Sequence, residues 1–79
     1  MATVLIVEDD RLYARATTNW LVKNGINARY VLSVDTAKDF LDNHDVDLVL
    51  SDYRLNNGNG VELLGWMNTH GYRIPFLIM

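Results

Sequence analysis

With 79 residues, 49% of them hydrophobic, a formal net charge of −3 and no Cys, the chain has room for one small domain, residues 1–79, without a disulfide staple. No stretch approaches the roughly 20 apolar residues of a membrane span, and the start lacks the basic, apolar, small-residue order of a signal peptide. Lys and Arg are scattered rather than clustered, so this segment offers no footprint for nucleic acid, and the absence of Cys fits the cytoplasm.

Thr3-Val4-Leu5-Ile6-Val7 is a β-branched run too short for a helix. It predicts a central strand that empties into the acidic turn Glu8-Asp9-Asp10. Asp10 is placed to cap the next helix, whose apolar positions Tyr13, Ala16, Trp20 and Leu21 predict its buried face, and Asn24-Gly25 ends it. Ile26 to Leu32 reads as a second strand. Ser33 then caps a helix with inner positions Val34, Ala37, Phe40 and Leu41.

Val46 to Ser51 is a short apolar run bounded by turn residues, the pattern of a buried strand. It delivers Asp52 to the edge of the sheet, ahead of a loop rich in Gly and Asn. Val61, Leu63, Leu64 and Met67 mark a third helix that Gly71 terminates. Arg73 to Met79 predicts a fourth strand, with Pro75 tolerable near its beginning or at an edge. Strands alternating with helices at this spacing imply right-handed crossovers and a parallel sheet, an α/β fold. Leu5, Ile6, Val7, Leu48, Val49 and Leu50 are expected to be the most buried residues.

In such sheets the ligand crevice lies beyond the carboxyl ends of the strands, where the winding reverses. If the first strand lies between the second and the third, Glu8, Asp9 and Asp52 share that crevice. Two unit charges about 4 Å apart repel by about 4 kcal/mol at an effective dielectric near 20, so the cluster calls for a raised pKa or a cation. Oxygen ligands without Cys or His nearby favour Mg²⁺ or Mn²⁺ over zinc. A carboxylate beside such an ion can attack phosphorus, which would leave an acyl phosphate on Asp52. Gly58 and Gly60 allow close backbone approach in the following loop, and the carbonyl of Arg54 is a candidate ligand.

Val7-Glu8-Asp9-Asp10, Leu50-Ser51-Asp52, Gly60 eight residues on and Ile74-Pro75 together resemble the receiver domain of two-component response regulators. The resemblance runs from Thr3 to Met79. It implies a flavodoxin-like sheet of strand order 2-1-3-4, with the first helix on one face and the second and third on the other. It also implies that Asp52 accepts phosphate from a sensor histidine kinase while Glu8, Asp9 and the Arg54 carbonyl hold Mg²⁺. Asp10 matches a position that is often acidic without being a ligand. Asn56 stands where receivers often carry Pro, a change expected to loosen the loop.

The family also has a Thr or Ser after the fourth strand, a Lys ending a fifth strand, and two further helices. This sequence contains none of them and resembles roughly the first two thirds of a receiver, so stable phosphorylation of the 79-residue chain itself is not expected. A homodimer formed through the exposed fourth strand and the uncovered sheet face is expected instead.

The competing functions are an idle folding or assembly fragment and a phosphohydrolase of the haloacid dehalogenase type. The latter needs a second Asp two residues after the nucleophile, where this chain has Arg54. The module is therefore expected to signal rather than turn over substrate. His44 and His70 lie in polar turns near helix ends and are assigned no role; Trp20 and Trp66 are read as packing residues.

Overall fold

The computed structural model describes residues 2–55 and 58–79. β1 (Thr3–Val7), α1 (Arg11–Lys23), β2 (Asn27–Val31), α2 (Val34–Asn43) and β3 (Leu48–Ser51) follow in chain order. After them come β4 (Arg54–Leu55), β5 (Gly58–Asn59), α3 (Gly60–Thr69) and β6 (Phe76–Ile78). The main sheet has the order β2-β1-β3-β6 and each of its pairings is parallel. This is the expected flavodoxin-like arrangement, with β6 as the fourth strand. β4 and β5 form a small antiparallel ladder, Arg54 opposite Asn59 and Leu55 opposite Gly58, inside the stretch read from sequence as loop. Two residues per strand are too few for a hydrophobic pattern to reveal. Asn56, and with it the expected loosening of the loop, lies outside the described residues.

The helices start where capping chemistry puts them. Asp10 Oδ1 accepts from the Tyr13 amide at 3.2 Å. Ser33 and Thr36 satisfy each other's amides in a capping box, and Asn59 Oδ1 accepts from the Glu62 amide at 2.8 Å. α1 and α3 end ahead of Gly25 and Gly71, which take φ of 83° and 79°. That left-handed backbone is one that glycine adopts without a Cβ penalty.

Alternation along the strands divides the core. Leu5, Val7 and Val49 face α2 and α3, packing with Val34, Ala37, Leu41, Leu63 and Met67. Val4 and Ile6 face the other way, packing with Ala28 of β2 and Leu21 of α1. The predicted placement of the helices on the two faces is therefore observed.

Several burial expectations need correction. Leu48 and Leu50 are only half-buried, because they point to the α1 face and α1 lies over β1 and β2 rather than β3. On α1 the buried residues are Ala14 and Thr18, whereas Tyr13, Ala16 and Trp20 are exposed. Small side chains let the helix sit close on the strands, so the large ones are turned aside; Trp20 is 64% exposed. On α3, Val61 is exposed while Leu63 and Met67 are buried. Pairing of the last strand begins only after Pro75, which has no N–H to donate, although its carbonyl accepts from the Val49 amide at 3.0 Å. Among the described residues no helix is long and apolar enough to cross a membrane.

Candidate metal and phosphoacceptor site

The site is assembled by two neighbouring strand ends. β1 and β3 are paired with Val7 opposite Ser51, so the residues that follow each, Glu8 and Asp52, leave the sheet side by side. The Asp52 amide donates to the Val7 carbonyl at 2.9 Å, and the Glu8 amide donates to the Val31 carbonyl at 3.1 Å. Both acids are thus held by ladder-type bonds just past the last paired residues.

One carboxylate oxygen from each of Glu8, Asp9 and Asp52 lies within 4.8 Å of the other two. Glu8 is buried, 6% exposed, and Asp9 and Asp52 are half-buried. Burial raises the Glu8 pKa above the usual carboxylate range. The charges of Asp52 and Asp9 and a hydrogen bond with Asp9 push in the same direction, against the lowering effect of the Asp10 amide, which donates to Glu8 Oε1 at 3.1 Å. Three convergent oxygens of like charge, one of them taken out of water, fit a small hard cation.

Asp10 and Tyr13 also line the crevice, with Glu8, Asp52 and Met79. Asp10 serves as the cap of α1, and Tyr13, expected from sequence on the buried face of that helix, instead borders the acids. Its one available signal is position, since a residue in the first turn of a helix capped by Asp10 must stay near the acids. Arg54, two residues beyond Asp52, opens β4 with its side chain exposed. Gly60 begins α3 in close quarters: a Cβ there would lie 3.0 Å from the Asp52 carbonyl oxygen and 3.1 Å from Ser51 Oγ, so a side chain would require its neighbours to shift by a few tenths of an ångström. Gly58 takes φ of 139°, and a Cβ on it would meet Glu62 Oε2 at 2.6 Å. At Gly58 the positive φ favours glycine, while at Gly60 a side chain would be tight against the end of β3.

His44 and His70 lie away from these acids. Each ring Nδ1 approaches the carbonyl of the aromatic residue one turn earlier, Phe40 at 3.1 Å and Trp66 at 2.9 Å, and each ring stacks on that aromatic side chain.

The sequence profile of the response regulator receiver domain matches residues 4–79. The chain belongs to that family. The response regulator protein FleR of Pseudomonas aeruginosa is 35% identical over 78 residues, which cover 99% of this chain and 16% of FleR. The heme response regulator HssR of Staphylococcus epidermidis is 28% identical over 79 residues, covering all of this chain and 35% of HssR. The chain thus spans about one sixth and one third of these curated relatives.

Among solved structures, the MaeR response regulator bound to beryllium trifluoride superposes with a TM-score of 0.89 at 30% identity. The match covers all of this chain and 66% of that one. The non-phosphorylated HemR receiver domain from Leptospira biflexa gives a TM-score of 0.89 at 26% identity, covering 99% of this chain and 63% of that one. Receivers are the signalling modules of two-component systems, and the receiver fold is shared from β1 to β6.

Proposed function

We propose that this receiver segment, residues 1–79, is phosphorylated on Asp52 by a sensor histidine kinase in a Mg²⁺-dependent reaction, in the cytoplasm, as part of a response regulator. The convergence of the Glu8, Asp9 and Asp52 carboxylates at adjacent strand ends within 4.8 Å is the observation that carries this reading. Glu8, Asp9, Asp52 and the Arg54 carbonyl would hold the cation, with Mn²⁺ as a substitute. When bound, the cation screens the approaching phosphoryl oxygens and stabilises the charge that spreads over them during transfer.

The rest of the chemistry belongs to the chain. Asp52 is half-buried and its backbone is anchored through its amide on Val7, which holds the residue in place where it lines the crevice. A carboxylate oxygen of Asp52 forms the new O–P bond as the P–N bond of a phosphohistidine breaks. The electron pair goes to the imidazole, which takes up a proton, and Asp52 is left as the acyl phosphate. Signalling then follows from the added charge and its oxygen acceptors rather than from turnover.

Titration of the chain with Mg²⁺, followed by amide chemical shifts, tests the site. We expect saturable shifts at Glu8, Asp9 and Asp52 that are lost in Asp9→Asn and strongly weakened in Asp52→Asn. Unchanged binding in both variants would remove the assignment. In a response regulator carrying the whole receiver, beryllium trifluoride added with Mg²⁺ then reports on Asp52, since beryllium held by three fluorides and the Asp52 oxygen imitates a tetrahedral phosphoryl group and should not attach to Asp52→Asn.

A further inference from the structure

We propose that Ser51 is a positioning residue for this site, setting the direction in which the backbone leaves β3 and hence where the Asp52 carboxylate and the Arg54 carbonyl are aimed. The inference rests on the reading of Asp52 given above.

Ser51 is the polar exception in an otherwise apolar strand, Leu48-Val49-Leu50-Ser51, and it is completely buried. A hydroxyl taken out of water to that extent must find a partner or cost stability. Its partner is the carbonyl oxygen of the next residue: Ser51 Oγ donates to Asp52 O at 2.8 Å. The main chain on either side is already committed. The Ser51 carbonyl accepts from the Met79 amide at 2.8 Å, and the Asp52 amide donates to Val7 at 2.9 Å.

These two bonds fix the strand up to Asp52, but neither fixes the peptide plane between Asp52 and Tyr53. The Ser51 hydroxyl acts on that plane. Its tilt decides where the following carbonyls point, first that of Tyr53, which accepts from the Gly60 amide at 2.9 Å, and then that of Arg54.

α3 is pressed against the same pair of oxygens. The Cβ that Gly60 lacks would lie 3.0 Å from Asp52 O and 3.1 Å from Ser51 Oγ. A side chain with more heavy atoms than serine at position 51 would push on the first turn of α3. Alanine would fit, but it would leave the Asp52 carbonyl without this donor. Serine is the smallest side chain that both fits under Gly60 and donates.

The test compares wild type with Ser51→Ala and with Ser51→Cys, which fills the space with only a weak donor. Amide exchange is measured in metal-free protein at Gly60, and at Val49 as a reporter of global opening. Mg²⁺ affinity is measured where all three proteins are fully folded. In both variants we expect Gly60 to exchange about 10-fold faster with Val49 unchanged. Mg²⁺ should bind about 10-fold more weakly, the usual cost of losing a group that orients a metal ligand.

Gly60 exchange within twofold of wild type, or accelerated only in step with Val49, overturns the proposal. So does unaltered Mg²⁺ affinity in both variants. A wild-type chain that binds no Mg²⁺ at all would instead count against the assignment of the acids, and Ser51 is then judged by the exchange of Gly60 alone.

Discussion

Thr3 and Asp47 are joined by two hydrogen bonds: the Thr3 amide donates to Asp47 Oδ2 at 2.7 Å, and the Asp47 amide donates to the Thr3 carbonyl at 2.8 Å. They tie the start of β1 to the entrance of β3, at the end of the sheet opposite the acids. We expect Asp47→Ala to lower stability by about 1 kcal/mol, measured by urea unfolding, because the Thr3 amide loses its acceptor. Asp47→Asn should keep most of it, and Mg²⁺ affinity should not change in either variant.

The acid cluster carries a pH signature. Because the folded-state pKa of Glu8 is raised above its ordinary 4.5, the folded chain holds a proton that the unfolded chain releases. Metal-free stability is therefore expected to fall as pH rises from about 4.5 through the raised value. Asp52→Asn removes one of the repelling charges, so it should flatten that slope and stabilise the metal-free protein near neutral pH by about 1 kcal/mol. Mg²⁺ at about 100 times its dissociation constant should raise wild-type stability by about 2.7 kcal/mol and raise the variant far less. Thermal melts with and without Mg²⁺ between pH 4 and 8 check both signs.

On the inner face of α1, Thr18 Oγ1 is buried with no hydrogen-bond partner among the described residues. Replacing the hydroxyl by a methyl of the same shape removes a desolvated polar group at no cost in packing. Thr18→Val should raise the urea midpoint by the equivalent of about 1 kcal/mol, with the slope of the transition unchanged.

The outer edge of β6 is apolar: Leu77, Ile78 and Met79 are 55%, 45% and 46% exposed. An open strand edge of this kind recruits another strand. Sedimentation equilibrium of the 79-residue polypeptide should show concentration-dependent self-association, and Leu77→Lys should reduce it. Wild-type protein that stays monomeric at high concentration would contradict the expectation.

The features legible in the sequence were those enforced by short-range chemistry. Asp10, Ser33 and the Asn24-Gly25 and Gly71 stops marked helix boundaries because capping acts over three or four residues. The two acidic strand ends marked the site because a parallel order brings them together. The rotation of α1 was not legible. Tyr13 and Trp20 satisfied a helical period as well as Ala14 and Thr18 did, and only the closeness demanded by the sheet beneath favours the smaller set. Leu48 and Leu50 look like core in a one-dimensional pattern, and their half-exposure depends on how far one helix reaches across the strands. Ser51 ends an apolar run in the sequence, but its contacts with the Asp52 carbonyl and with the start of α3 depend on the fold rather than on any pattern along the chain.

The strand order also bears on how the chain reaches its folded state. β1 leaves the ribosome ahead of both its neighbours, which come much later: Thr3 meets Asn27 across a separation of 24 residues and Asp47 across 44. Its Leu5-Ile6-Val7 segment, fully buried in the finished protein, has no lasting shelter until β3 has been synthesised. Pairings this distant in sequence close large loops before any contact rewards them, which slows folding. Over that interval the segment is the part of the nascent chain most open to capture by chaperones or by other chains.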